Sequence, residues 1–294
     1  MADLSLDLCG VKLKNPIIAA SGTFGFGREY DELYDIGRLG GISVKGLSLL
    51  PRTGNPPSRI AETPSGMLNS VGLQNPGVES FIENDLPWLL TKDVAVIANI
   101  TGTSVEQYVQ MAERLAGTGV HVLEMNISCP NVHEGGVAFG VKPESVYAIT
   151  KAVKAAARQP LIVKLTPNVS DITENALAAE EAGADAISMI NTLTGIAVDV
   201  NKRRMVLANN TGGLSGPAVR PVALRMVWQS AKKAHIPIIG MGGIETGEDA
   251  AAFMLCGAKA VMVGTANFTD PFACPRIIRE LDAYCDRQKV QRAQ

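Results

Sequence analysis

The residues with the clearest chemistry lie in the run Glu124-Met125-Asn126-Ile127-Ser128-Cys129-Pro130-Asn131. A thiolate at Cys129 could take a proton from a bound molecule while the amides of Asn126 and Asn131 orient its carbonyl. A free thiol titrates near about 8.5, so a modest positive charge nearby makes the thiolate accessible at neutral pH. The run follows the apolar stretch 120–123 and breaks at Pro130, which places Cys129 where a buried strand opens into a loop. A lone cysteine is more often an inert buried residue, so this run alone does not decide its role.

Other polar residues and glycines stand directly after apolar runs: Ser21, Lys45, Asn99, Asn126, Lys164, Asn191, Gly242-Gly243 and Gly264-Thr265. If those runs are parallel strands, this set converges on one face. The glycine turns suit a phosphate held by backbone N–H groups and a helix N-terminus, and Gly216 would extend that cradle. Tight-turn geometry alone would also explain any one of them. Lys45 and Lys164 follow Val-containing runs, where a buried ammonium is costly unless it meets an anion. That anion could be a reduced flavin ring, a substrate carboxylate or an internal salt-bridge partner.

The stretch Asn69-Ser70-Val71-Gly72-Leu73-Gln74-Asn75 offers amides and backbone donors to a small polar ring, although Asn75 before Pro76 also reads as a helix cap. Gly135, Gly136 and Gly140 punctuate the segment after Cys129 as in a lid that excludes water, or as in an ordinary loop. His133 and Glu134 within it read as solvated. Neither 22–27 nor 240–243 has the Gly-x-Gly-x-x-Gly spacing, so no Rossmann dinucleotide pocket is expected on this chain.

These residues need a scaffold that brings strand ends together. Apolar runs at 16–20, 41–44, 94–98, 120–125, 161–163, 186–190, 237–240 and 260–263 read as eight short strands. Amphipathic stretches separate them, with starts at Asn75-Pro76, Ser104 and Thr246 and stops at Gly117, Gly183 and Gly257. Alternation at 4–14 about Cys9-Gly10 reads as an N-terminal β-hairpin. Eight βα units without a compositional break predict one α/β domain over 1–294, a (β/α)8 TIM barrel with an active-site lid loop, ahead of a doubly wound open sheet. Segments 47–74 and 129–140 are too long for simple connections and should lie over the barrel mouth.

Composition agrees. The 294 residues are 46% hydrophobic and 19% charged with 29 Gly, which suits short aliphatic strands and tight loops. A net charge of -2 and the lack of a Lys/Arg stripe argue against nucleic acid. No leader pattern or membrane-length apolar run is seen, so the expectation is a cytoplasmic protein. Cys9, Cys129, Cys256, Cys274 and Cys285 are scattered, as are His121, His133 and His235, which gives no metal or disulfide framework.

With these residues assembled, the chain resembles the dihydroorotate dehydrogenases, specifically their class 1B catalytic subunits. The resemblance rests on 20–27, Val44-Lys45-Gly46, 69–77, 126–131, Asn191-Thr192-Leu193, 211–217, 240–244 and 263–268. It implies FMN and the oxidation of (S)-dihydroorotate to orotate in pyrimidine biosynthesis, with Cys129 as the base at C5 and hydride passing from C6 to the flavin. By the same resemblance, Ser21, Lys45, Gly46, Asn99, Asn126, Lys164, Ile190, Gly216, Gly242, Gly243, Gly264 and Thr265 bind FMN. Lys45, Asn69, Ser70, Val71, Gly72, Leu73, Asn126, Asn191 and Thr192 bind the substrate. A partner subunit with FAD and a 2Fe-2S cluster would pass electrons to NAD, in a heterotetramer built on a homodimer of catalytic subunits. The alternatives are a class 1A homodimer using fumarate, a reductase of uracil-like rings, and a flavin-free phosphate-binding barrel.

Overall fold

A computed structural model describes residues 3–127 and 139–293. Cys129 and most of the expected lid, including His133, Glu134, Gly135 and Gly136, lie outside the described residues.

Eight strands form the centre: β1 Ile17–Ala19, β2 Gly41–Ser43, β3 Ala95–Ile100, β4 Val122–Asn126, β5 Leu161–Lys164, β6 Ala186–Met189, β7 Ile238–Met241 and β8 Ala260–Val263. Each pairs in parallel with its sequence neighbours, and β8 returns to β1 through Val261 opposite Ile17, so the sheet closes. Closure removes every sheet edge and rules out the open doubly wound alternative. All eight strands are buried, as expected of Val/Ile/Ala runs covered on both faces.

The period of two along each strand sorts side chains between two cores. Inward residues Ile18, Ile97, Val122, Ile162, Ile239 and Met262 fill the lower barrel. The N-terminal hairpin, Leu6–Leu8 paired with Val11–Leu13, adds Leu8 and Leu13 to that cluster. Its turn uses positive φ at Cys9 (55°) and Gly10 (85°), a geometry that matches strand twist in two-residue hairpins. Outward residues such as Val96, Ala98 and Leu123 join the larger core beneath the helices, with Met111, Leu115 and Ile149.

Helices Val105–Leu115, Pro143–Ala156, Ile172–Glu181, Arg220–Ala231 and Gly247–Leu255 connect β3 through β8 in turn, and Ala273–Ala293 follows β8. The start at Thr246 is a full capping box with Asp249. At Ser104 only half forms: Ser104 Oγ accepts from Gln107 N, while Gln107 Oε1 accepts from Thr103 N. Asn75 is not the helix cap that the sequence suggested. The helix starts at Val78 after Gly77, and Asn75 Oδ1 instead accepts from the backbone of Ser48 and Gly77, an Asx turn that Pro76 favours. The stops hold, with Gly117, Gly183 and Gly257 all at positive φ.

Segment 47–74 does reach the barrel mouth, but as structure that the sequence reading did not anticipate. Ile60–Thr63 and Gly66–Asn69 form a hairpin that joins Thr211–Ser215 and Leu193–Ile196 in a four-stranded antiparallel sheet. Among the described residues no helix is long and apolar enough to cross a membrane.

Candidate active site

Above the apolar layer the barrel interior turns polar. Asn99 on β3, Glu124 and Asn126 on β4, Lys164 on β5 and Ser188 on β6 share strand parity with the inward residues below them. Asn99 and Lys164 lie inside their strands rather than after them, because each strand runs one or two residues longer than its apolar run. Lys164 is 4% exposed; its Nζ donates to Ser21 Oγ at 3.3 Å and lies 3.9 Å from Glu124 Oε2. The internal ion pair weighed for Lys164 is therefore present at its outer limit.

Glu124 is the buried charged residue of this interior that the sequence reading left without a role. It stood in the quoted run as part of a buried strand, yet its side chain accepts hydrogen bonds from Ser43, Asn99 and Ser188. The signal was available: 122, 124 and 126 alternate, so any inward Asn126 brings Glu124 inward with it.

One cavity of about 590 Å³ opens at the C-terminal ends of the strands. Ser21, Lys45, Gly46, Asn99, Asn126, Lys164, Ile190, Gly216, Gly242, Gly243, Gly264 and Thr265 all line it, and so do Asn69, Ser70, Val71, Gly72, Leu73, Asn191 and Thr192. The size is that of a cofactor or drug-sized ligand site. Cys129 lies outside the described residues.

The antiparallel sheet forms one wall. Asn69 Nδ2 donates weakly to Gly213 O at 3.4 Å, and Asn55 Nδ2 holds Ser70 through its carbonyl and hydroxyl. Gly72 has φ 79°, and a Cβ there would come within 2.6 Å of Asn55. Opposite, Asn191 Nδ2 reaches Asn126 Oδ1 at 3.4 Å, and Asn191 Oδ1 accepts from Thr192 N.

Two lysines supply positive charge. Lys45 is half-buried, its side chain has no hydrogen-bond or ion-pair partner among the described residues, and desolvation holds its ammonium below the ordinary lysine range. Such a group is costly without an anion beside it.

Glycine makes the far end. Gly216, Gly242 and Gly243 have φ of 97°, 128° and 73°, and a Cβ on Gly243 would meet Gly216 O at 2.7 Å. Arg220 braces the turn, donating to Gly243 O at 3.2 Å while pairing with Asp249 at 2.8 Å. The turn Pro217–Val219 and helix Arg220–Ala231 begin beside the cradle, and their first N–H groups are held within the fold, Ala218 N donating to Ser65 O and Val219 N to Gly216 O.

The described thiols offer no rival base. None of Cys9, Cys256, Cys274 and Cys285 lines the cavity. Burial pushes Cys9 up to about 11 and Cys274 up to about 12, which leaves both protonated at neutral pH.

The sequence matches a family model described as dihydroorotate dehydrogenase over residues 3–284. It is 55% identical over 289 residues to a protein of Alkaliphilus oremlandii (strain OhILAs), covering 98% of this chain and 96% of that one. A Geobacillus kaustophilus (strain HTA426) protein is 55% identical over 287 residues, 97% of this chain and 92% of its own length. One from Halalkalibacterium halodurans is 53% identical over 293 residues, 99% and 96% respectively. Each of the three is called dihydroorotate dehydrogenase B (NAD(+)), catalytic subunit.

Proposed function

Since the chain belongs to the dihydroorotate dehydrogenase family, we propose that it is a class 1B catalytic subunit, one FMN-binding barrel domain that oxidises (S)-dihydroorotate to orotate in pyrimidine biosynthesis. The observation that carries this reading is the convergence of every described residue with an expected contact on a single cavity.

The cavity fits FMN. Asn99 Oδ1 is buried without a partner and suits a ring N–H donor. The glycine cradle has room for a phosphate only because no Cβ is present. The buried Lys164 ammonium suits negative charge at the pyrimidine edge of a reduced ring. Ser21, Lys45, Gly46, Asn99, Asn126, Lys164 and Ile190 would hold the ring and its side chain, and Gly216, Gly242, Gly243, Gly264 and Thr265 the phosphate end. FMN supplies the hydride acceptor for C6 of the substrate.

The remaining steps belong to the chain's own residues. Lys45 holds the substrate carboxylate, and its desolvation strengthens that contact. Asn69, Asn126, Asn191 and Thr192 with the backbone of 70–73 orient the ring by its amide and carbonyl edges. Cys129 takes the C5 proton on its sulfur. The antiparallel sheet at the mouth shields the reacting atoms from water.

The relatives' names, with NAD(+) and "catalytic subunit" in them, support a second, electron-transfer subunit. We assign FAD and a 2Fe-2S cluster to it, in a cytoplasmic heterotetramer built on a homodimer of this chain. Anaerobic mixing of the purified chain with dihydroorotate tests the first half-reaction. The visible flavin absorbance is expected to bleach; a yellow protein that stays yellow would refute the substrate, and a protein that takes up no FMN would refute the cofactor.

A further inference from the structure

Glu124 is fully buried at the centre of the barrel, which is an expensive place for a carboxylate. Its Oε1 accepts from Ser188 Oγ at 2.7 Å, and its Oε2 accepts from Ser43 Oγ at 2.7 Å and from Asn99 Nδ2 at 2.6 Å. Lys164 Nζ stands 3.9 Å from Oε2. Four strands, β2, β3, β5 and β6, thus send a donor or a cation to one side chain of a fifth. Apolar side chains in place of this whole group would fill the space about as favourably for folding, so stability alone does not account for the carboxylate.

Two further observations tie it to the cavity. A carboxylate only accepts hydrogen bonds, so Asn99 must turn Nδ2 toward it and Oδ1 away. That Oδ1 is buried without a partner, although an orphaned buried acceptor is costly. The space beside it is kept clear by Gly46, since a Cβ there would come within 3.0 Å of the same oxygen. Asn99 and Gly46 both line the cavity. An acceptor held in one orientation and left unsatisfied, on a side chain that lines the cavity, is completed by a ligand N–H.

We propose that Glu124 is a positioning residue of the flavin pocket, fixing Asn99 with its oxygen free for a ring N–H and partly neutralising Lys164 beside the same ring. The proposal rests on the FMN reading above. Its two halves act on different observables. The orientation of Asn99 governs affinity, whereas the charge beside Lys164 governs how readily the ring takes up negative charge on reduction.

The test compares wild type with Glu124→Gln and Glu124→Met, following FMN binding to apoprotein by fluorescence quenching, the midpoint potential of the bound flavin, and thermal melting by circular dichroism. In Glu124→Gln the side-chain oxygen can still accept from Asn99, so FMN affinity should stay within about threefold of wild type. The potential should shift to more positive values because Lys164 loses its counter-charge. In Glu124→Met the Asn99 amide is released, and the folded variant should bind FMN at least about tenfold more weakly. An unchanged potential in Glu124→Gln overturns the charge role, and an unchanged affinity in folded Glu124→Met overturns the orienting role. If Glu124→Met does not fold, the potential of Glu124→Gln decides alone. A wild-type apoprotein that binds no FMN overturns the cofactor reading itself and this inference with it.

Discussion

Tyr108, on helix Val105–Leu115, donates its hydroxyl hydrogen to the main-chain oxygen of Asn126 at 2.6 Å, and its ring meets Phe139 edge-on at 6.1 Å. One buried side chain therefore touches both flanks of the segment that carries Cys129. Tyr108→Phe keeps the ring and removes the hydrogen bond. It should cost about 1 kcal/mol of stability and lower kcat more than FMN content. Turnover per bound flavin, measured beside a denaturant melt, checks this; equal kcat in a destabilised variant would make Tyr108 purely structural.

Cys129→Ala should keep FMN and bind orotate yet lose most turnover, because binding and proton abstraction are separate tasks. Cys129→Ser should retain some activity with its pH profile moved upward, since a hydroxyl gives up its proton less readily than a thiol. Stopped-flow reduction across pH distinguishes the three proteins, and full turnover in the alanine variant would remove Cys129 from the base position.

Two glycines at positive φ should respond differently. Gly243→Ala drives a Cβ to 2.7 Å from Gly216 O and 2.8 Å from Arg220 Cβ, so the phosphate cradle must open. Gly10→Ala, at φ 85°, meets nothing within 4 Å and carries only the left-handed backbone cost of roughly 1–2 kcal/mol. FMN retention through gel filtration should fall in the first variant and not in the second. A yellow Gly243→Ala protein with wild-type flavin content would move the phosphate elsewhere.

The half-buried Lys45 ammonium predicts a pH dependence. Burial lowers its pKa, so its charge is lost at a lower pH than that of an exposed lysine. A bound carboxylate favours the charged form, so orotate affinity should be flat below that pKa and fall as pH rises through it, with proton uptake on binding within the window. Lys45→Met should weaken orotate binding by roughly 10- to 100-fold, the worth of a charge-assisted contact, and abolish the pH slope. Without ligand it should melt no lower than wild type, because it removes an unpaired, half-buried charge. Flavin difference titrations from about pH 7 to 10 provide the readout. A slope that survives in the variant would assign it to another group.

Local pattern in the chain was enough for the barrel. Eight aliphatic runs at βα spacing specify buried parallel strands, and only a closed ring gives all eight a partner on both sides. It was also enough for most of the cavity, because residues just beyond strand ends must gather wherever those ends gather. Three things were decided by the tertiary structure. The wall sheet pairs Asn69 with Gly213 across a long separation that no local propensity encodes, and glycine-rich 211–215 does not read as a strand on its own. Asn75 left its expected cap for an Asx turn on Ser48 and Gly77 because Pro76 holds the preceding chain extended. Glu124 looked like part of an apolar strand, and only closure of the barrel brought Ser43, Asn99, Ser188 and Lys164 around it. A carboxylate can be buried there because its partners arrive from four other strands, and sequence order alone does not say which side chains those will be.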